Sequence, residues 1–166
     1  MIQTVLYKDV RDSIRSGDLL AWSTERIRSM RDVALKLIQR ATNSPYDHVG
    51  IGWGTDKRVF TIESTPPHVR VYPLSRARPF YWIPVGLEWR AKYLDYLTRH
   101  VGDPYSYKEV ITAYFGINKK DDKWQCAEFT RYFYHRVGLT LDFGYTPGTI
   151  VEAMLKHLNT QIYKVL

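Results

Sequence analysis

The hydrophobic period of this chain changes near residue 87, and that change limits its fold more than any other feature. Before it, apolar side chains alternate; after it, they recur at helical spacing. His48-Val49-Gly50-Ile51-Gly52-Trp53 alternates, Thr55-Asp56 supplies a turn, and Val59-Phe60-Thr61-Ile62-Glu63 returns, which predicts a hairpin. Pro66-Pro67 interrupts, Val69-Arg70-Val71-Tyr72 resumes, and Phe80-Tyr81-Trp82-Ile83-Pro84-Val85 is a further strand ending near its proline. With Asp18-Leu19-Leu20-Ala21-Trp22, the first half holds four or five short strands. The expected class is α+β, a small, mostly antiparallel sheet packed with helices.

The helices fall in the second half, with one exception. Residues 24–41 place Ile27, Met30, Ala34, Leu37, Ile38 and Ala41 at helical spacing and end at Thr42-Asn43-Ser44-Pro45. Helices are expected over 87–100, 106–115 and 124–137, the last closed by Gly138 at C′. A final helix opens at Thr146-Pro147, where proline suits the first turn, and runs to about Leu158. Ile162-Tyr163-Lys164-Val165 is expected as an edge strand.

At 166 residues, residues 1–166 form one expected domain with room for a core. The single cysteine excludes an intrachain disulfide and a multi-thiolate zinc site. A net charge of +7 admits an anionic partner without choosing one. Lys119-Lys120-Asp121-Asp122 is expected to be a solvated turn, while Lys57, Arg58, Arg70, Arg76 and Arg78 are candidates for a basic face. Thirteen tyrosines could stack bases, but no RNP-like, zinc-finger or helix-turn-helix pattern accompanies them, so nucleic acid is not the expected partner. No stretch is long and apolar enough to span a membrane, and residues 1–9 lack a signal-peptide pattern; cytoplasmic residence, in a bacterium or phage-infected host cell, is the expectation.

Cys126 falls in the first turn of its expected helix, where the partial positive charge and unpaired amides favour a thiolate and can also serve an oxyanion. On the residues alone, a lone cysteine on an apolar helical stripe is more often a buried core residue. A nucleophile needs a base from elsewhere in the fold. Of five histidines, His135 and His157 fall late in helices, His100 ends one and His68 follows Pro66-Pro67. His48 instead opens an apolar strand, which would fix its ring at the sheet edge. Glu63 ends the partner strand near His48 and could orient it, or it could pair with Arg70 or Arg58.

Gly17-Asp18-Leu19-Leu20, Asp47-His48-Val49-Gly50-Ile51, Ile62-Glu63-Ser64, Gly102-Asp103-Pro104-Tyr105 and Cys126-Ala127-Glu128-Phe129, in that order, resemble the permuted NlpC/P60 hydrolases of the YiiX-like type. These are papain-like thiol enzymes in which circular permutation puts histidine before cysteine. The resemblance covers about residues 14–150. It implies Cys126 as nucleophile, His48 as base, Glu63 as third polar member and Tyr105 as a residue of the oxyanion pocket. It further implies a structural role for Asp18 and a cleft position for Thr146-Pro147-Gly148. Two positions depart from the pattern: Asp47 stands where serine is common, and Ala127 where Cys-Ser-Glu is usual. Asp47 could alter the charge felt by His48.

The expected function is a cysteine hydrolase that cleaves an amide, possibly of cell-wall peptide type, or an ester through a Cys126 thioester. The resemblance implies no metal and no organic cofactor; small peptides, other amides and acyl lipids are the expected substrates. Acyl transfer or lipid hydrolysis on the same fold, and a non-catalytic binding module with a basic aromatic cleft, are the alternatives.

Overall fold

The structure is a computed structural model that describes residues 2–24, 36, 39–40, 43–106, 123–142 and 144–166. Seven strands form one sheet: β1 (Ile2–Val5), β2 (Leu19–Trp22), β3 (His48–Gly54), β4 (Val59–Thr65), β5 (His68–Pro73), β6 (Phe80–Ile83) and β7 (Ile162–Val165). Their spatial order is β1-β7-β6-β2-β3-β4-β5. All neighbouring pairs are antiparallel except β1 with β7. Four helices are described: α1 (Tyr7–Val10), α2 (Ala91–Thr98), α3 (Cys126–Arg136) and α4 (Pro147–Leu158). The α+β class and the mostly antiparallel sheet therefore stand.

The central strand β2 explains the apolar run Leu19-Leu20-Ala21. Period-two alternation sends Leu19 and Ala21 to one face and Leu20 to the other, and both faces are covered. On the first face Leu19, Val49, Ile51, Ile62 and Ile83 meet Phe129, Phe133 and Tyr134 of α3 and Ile150, Val151 and Met154 of α4. On the second, Leu20, Val59, Phe80 and Trp82 pack with Tyr7, Ile14, Leu74 and Val165. The β3–β4 hairpin turns where Thr55 N–H donates to the Arg58 carbonyl at 2.8 Å. Helix α3 lies against β3 and β4, which brings its N-terminus to the hairpin.

Three expectations shift. Ile162–Val165 is an interior strand, because Ile2–Val5 adds alongside it in parallel and becomes the edge. No local pattern reports a pairing between the two ends of the chain. The helix expected over 87–100 starts only at Ala91, since Leu87 leaves the helical path to pack on Gly17. His68 is the exposed first residue of β5 rather than a loop residue. Helix α3 closes as expected, with Gly138 at φ 90° beyond the Val137 cap. The helix over 24–41 lies almost wholly outside the described residues, with Lys36, Gln39 and Arg40 helical. The helix over 106–115 and the Lys119–Asp122 turn lie outside them entirely.

Candidate active site

Strand register builds the first part of the site. The β3–β4 ladder pairs Ile51 with Ile62, and one further step sets Gly50 across from Glu63. His48 is then two residues along on the same face, a diagonal neighbour within reach of a long side chain. Gly50 keeps this diagonal open: a Cβ there would stand 2.7 Å from Thr61 Oγ1 and 3.1 Å from Glu63 Cβ. Across the gap, His48 Nε2 and Glu63 Oε2 are 2.7 Å apart. On the other side of Glu63, the β4–β5 ladder places Arg70 directly opposite. Its Nε and Nη2 both donate to Glu63 Oε1, at 2.9 and 2.8 Å. Of the three partners weighed for Glu63 from the sequence, His48 and Arg70 are thus held together, one on each oxygen.

Cys126 comes from the other direction. It is the first residue of α3, buried, with Gln125 as N-cap. Gln125 Oε1 accepts from Ala127 N–H at 2.9 Å and lies 3.7 Å from Cys126 Sγ. The Cys126 side chain comes near enough to the His48 imidazole to raise it. Since Nε2 is engaged by Glu63, Nδ1 is the ring nitrogen left for the thiol. The order is therefore Cys126, His48, Glu63, Arg70.

Electrostatics follow from this order. Burial by itself pushes the His48 imidazole down, but the Glu63 carboxylate, with its hydrogen bond, and the Cys126 side chain outweigh it and raise it to about 10. For Glu63, burial pushes up, while His48 and Arg70 outweigh it and hold the carboxyl below its ordinary value. The pair is an imidazolium–carboxylate ion pair at neutral pH, with the Glu63 side chain 3% and that of His48 17% exposed.

The elements that hold the dyad are themselves clamped. Trp22 pairs with His48 across β2–β3, and their ring centres lie 5.2 Å apart. Asp47 Oδ2 accepts from Thr24 N–H at 2.6 Å and Gln39 Nε2 at 2.7 Å, so its carboxylate is tied to the segment before β3. On the cysteine side, the Trp124 carbonyl accepts from Ser64 Oγ at 2.8 Å and Ser106 N–H at 2.9 Å. Asp103 takes His100 Nδ1 at 2.8 Å and Trp124 Nε1 at 3.1 Å on a single oxygen. His100 thereby supports the approach to Cys126 and is not a second candidate base.

The start of α4 joins the two sides. Gln125 Nε2 donates to the Tyr145 carbonyl at 3.1 Å. Gly148 packs so closely on Ser44, ahead of His48, that any Cβ would overlap the serine side chain. Thr146-Pro147-Gly148 is accordingly a brace between the Cys126 and His48 segments.

The remaining sequence candidates are placed as follows. Tyr105 is half-buried, and its backbone bridges Trp124, two residues before Cys126. Asp18 is a buried acceptor for Arg15 N–H, Trp82 Nε1 and Val85 N–H at 2.8, 2.8 and 2.9 Å, which is a structural role. His135 and His157 are exposed. In the expected basic face, Arg70 is turned to Glu63 and Arg78 lies over the Tyr7 ring. Among the described residues no three His, Cys, Asp or Glu side chains gather as metal ligands. No described helix is long and apolar enough to cross a membrane. Gln125 and the dual role of Glu63 escaped the sequence reading; a glutamine is not a favoured N-cap, so it carried no signal.

No protein-family model matches the chain, and no curated protein does. A solved structure does: the metalloprotein YiiX from Escherichia coli O157:H7, at a TM-score of 0.56 and 22% identity, over 76% of this chain and 67% of YiiX. The chain has a YiiX-like fold. At that identity the likeness is one of fold, and the chemistry has to be argued from the residues above.

Proposed function

We propose that this protein is a thiol hydrolase of the permuted papain-like, NlpC/P60 type, acting on an amide or ester through a thioester on Cys126. The observation that carries this reading is the His48–Glu63 pair, whose imidazole is also raised by Cys126 at a helix N-terminus. Because Glu63 favours the imidazolium, His48 rests protonated in this reading, and Cys126 attacks as its thiolate. His48 then acts first as an acid and only later as a base.

The thiolate attacks the acyl carbon and forms the C–S bond, and the carbonyl pair moves onto oxygen. The Cys126 N–H, which has no intrahelical acceptor, and the Tyr105 hydroxyl are assigned to that oxyanion, each contributing on the order of 3 kcal/mol. As the C–N or C–O bond breaks, His48 gives its proton to the leaving group. Neutral His48 then takes a proton from water, which attacks the thioester and releases the acid. Thiolate and imidazolium are restored.

YiiX is titled a metalloprotein. In this chain the donors nearest Cys126 are otherwise committed, since both Glu63 oxygens are bonded to His48 and Arg70. The described residues do not fit a metal centre, and no step is routed through one.

The test takes two separate samples: one is labelled at Cys126 with iodoacetamide at pH 6, and the other is exposed to p-nitrophenyl acetate and read by mass spectrometry. Labelling much faster than free cysteine, whose pKa is about 8.5, and an added acetyl group on Cys126 are expected. Labelling no faster than free cysteine, with no acetyl adduct, would replace this reading with that of a binding module.

A further inference from the structure

We infer that Arg70 is a positioning residue for the dyad, which takes up one oxygen of Glu63 and so limits how tightly that carboxylate holds the proton of His48. The inference rests on the hydrolase reading for its consequence in turnover, but its geometry stands on observed contacts. Both donors of Arg70 converge on Oε1, leaving Oε2 alone to face His48. A carboxylate shared in this way has a fixed rotamer and a reduced field at the imidazole. A free Glu63 could place both oxygens on His48 and hold it as a permanent imidazolium. The proposed cycle needs His48 to give up its proton to a leaving group, so excess retention would slow the step.

Several features favour this role over simple stapling of β4 to β5. Glu63 is nearly sealed while the Arg70 side chain is 41% exposed, so the arginine reaches inward from solvent to meet a buried charge. Its guanidinium also lies over the Tyr72 ring at 4.5 Å, which fixes the plane of the fork. The other groups facing His48 cannot substitute. Cys126 of α3 approaches the ring as its proton partner, and Trp22 of β2 is uncharged. Asp47, next in the chain, is held by Thr24 and Gln39.

The experiment titrates His48 by NMR in ring-labelled protein, wild type against Arg70→Gln and Arg70→Lys, with p-nitrophenyl acetate turnover measured alongside. Arg70→Gln is expected to move the His48 titration upward by about half a pH unit or more, because a compensating positive charge is lost. It should lower kcat about tenfold while KM changes less than about twofold. Arg70→Lys restores charge without the two-donor fork and should recover most of the titration shift but only part of kcat. A titration unchanged or lowered in a folded Arg70→Gln protein overturns the inference, as does identical behaviour of the glutamine and lysine variants. If wild-type Cys126 is itself unreactive, the hydrolase reading fails, and the His48 titration still decides the role of Arg70.

Discussion

Glu63→Gln probes the centre of the site, and its effect can be worked from the contacts. The substitution keeps shape and removes one charge from a side chain that is 3% exposed. Glutamine can offer its oxygen to Arg70, but its amide then points a donor at His48, so the contact to the protonated ring is lost. A His48 shift from 6.5 to about 10 corresponds, at 1.36 kcal/mol per unit, to roughly 5 kcal/mol of preferential stabilisation of the imidazolium. That is a ceiling, because an unpaired imidazole can release its proton and Arg70 can turn to water. We expect about 2–4 kcal/mol of destabilisation near pH 6, overlapping the range of about 3–5 kcal/mol typical of breaking a buried pair. The sign with pH follows from both partners. The raised His48 value gives stability that is complete below 6.5 and is lost as pH rises through about 10. The lowered Glu63 value gives stability present above 4.5 and lost as pH falls through its depressed value. The gap between wild type and variant should therefore be widest between pH 4.5 and 6.5 and narrow on either side. Urea unfolding at pH 4, 6, 8 and 10 measures it. A gap that is constant across that range, or absent at pH 6, would refute the ion pair as described.

Three further outcomes follow. Cys126→Ser should leave the urea midpoint nearly unchanged, abolish iodoacetamide labelling and reduce ester turnover by orders of magnitude, since a serine hydroxyl is a far weaker acid; wild-type turnover by this variant would remove Cys126 from the mechanism. Gly148→Ala drives a Cβ into the Ser44 side chain, so about 1–3 kcal/mol of destabilisation is expected, with slower Cys126 labelling as the brace is pushed open; an unaltered protein would mean that α4 does not brace the dyad. Asp18→Ala strands three N–H donors and should cost at least about 3 kcal/mol by thermal or urea unfolding, while labelling of the protein that remains folded stays near wild type.

The sequence by itself determined the elements with strong local signals. The alternation of residues 48–63 fixed the hairpin, and the Thr146-Pro147 opening and Gly138 closure set helix ends within a residue or two. It also brought forward Cys126, His48 and Glu63, because a cysteine in a first helical turn, a histidine opening an apolar strand and a carboxylate closing its partner each break the surrounding apolar pattern. The hairpin even carried the His48–Glu63 approach, since register within two strands joined by a short turn is a local property.

Tertiary structure decided everything that depends on separate segments meeting. That β1 joins β7 and turns it into an interior strand depends on the two ends of the chain, which no periodicity links. That Glu63 serves His48 and Arg70 at once required the β4–β5 register and the direction of each oxygen, not the residue types. Cys126 and His48 lie far apart in sequence and come together because α3 packs on β3 and β4 while Gly148 lets α4 close against Ser44. Local patterning can nominate a thiol and an imidazole, but only packing brings them to one place.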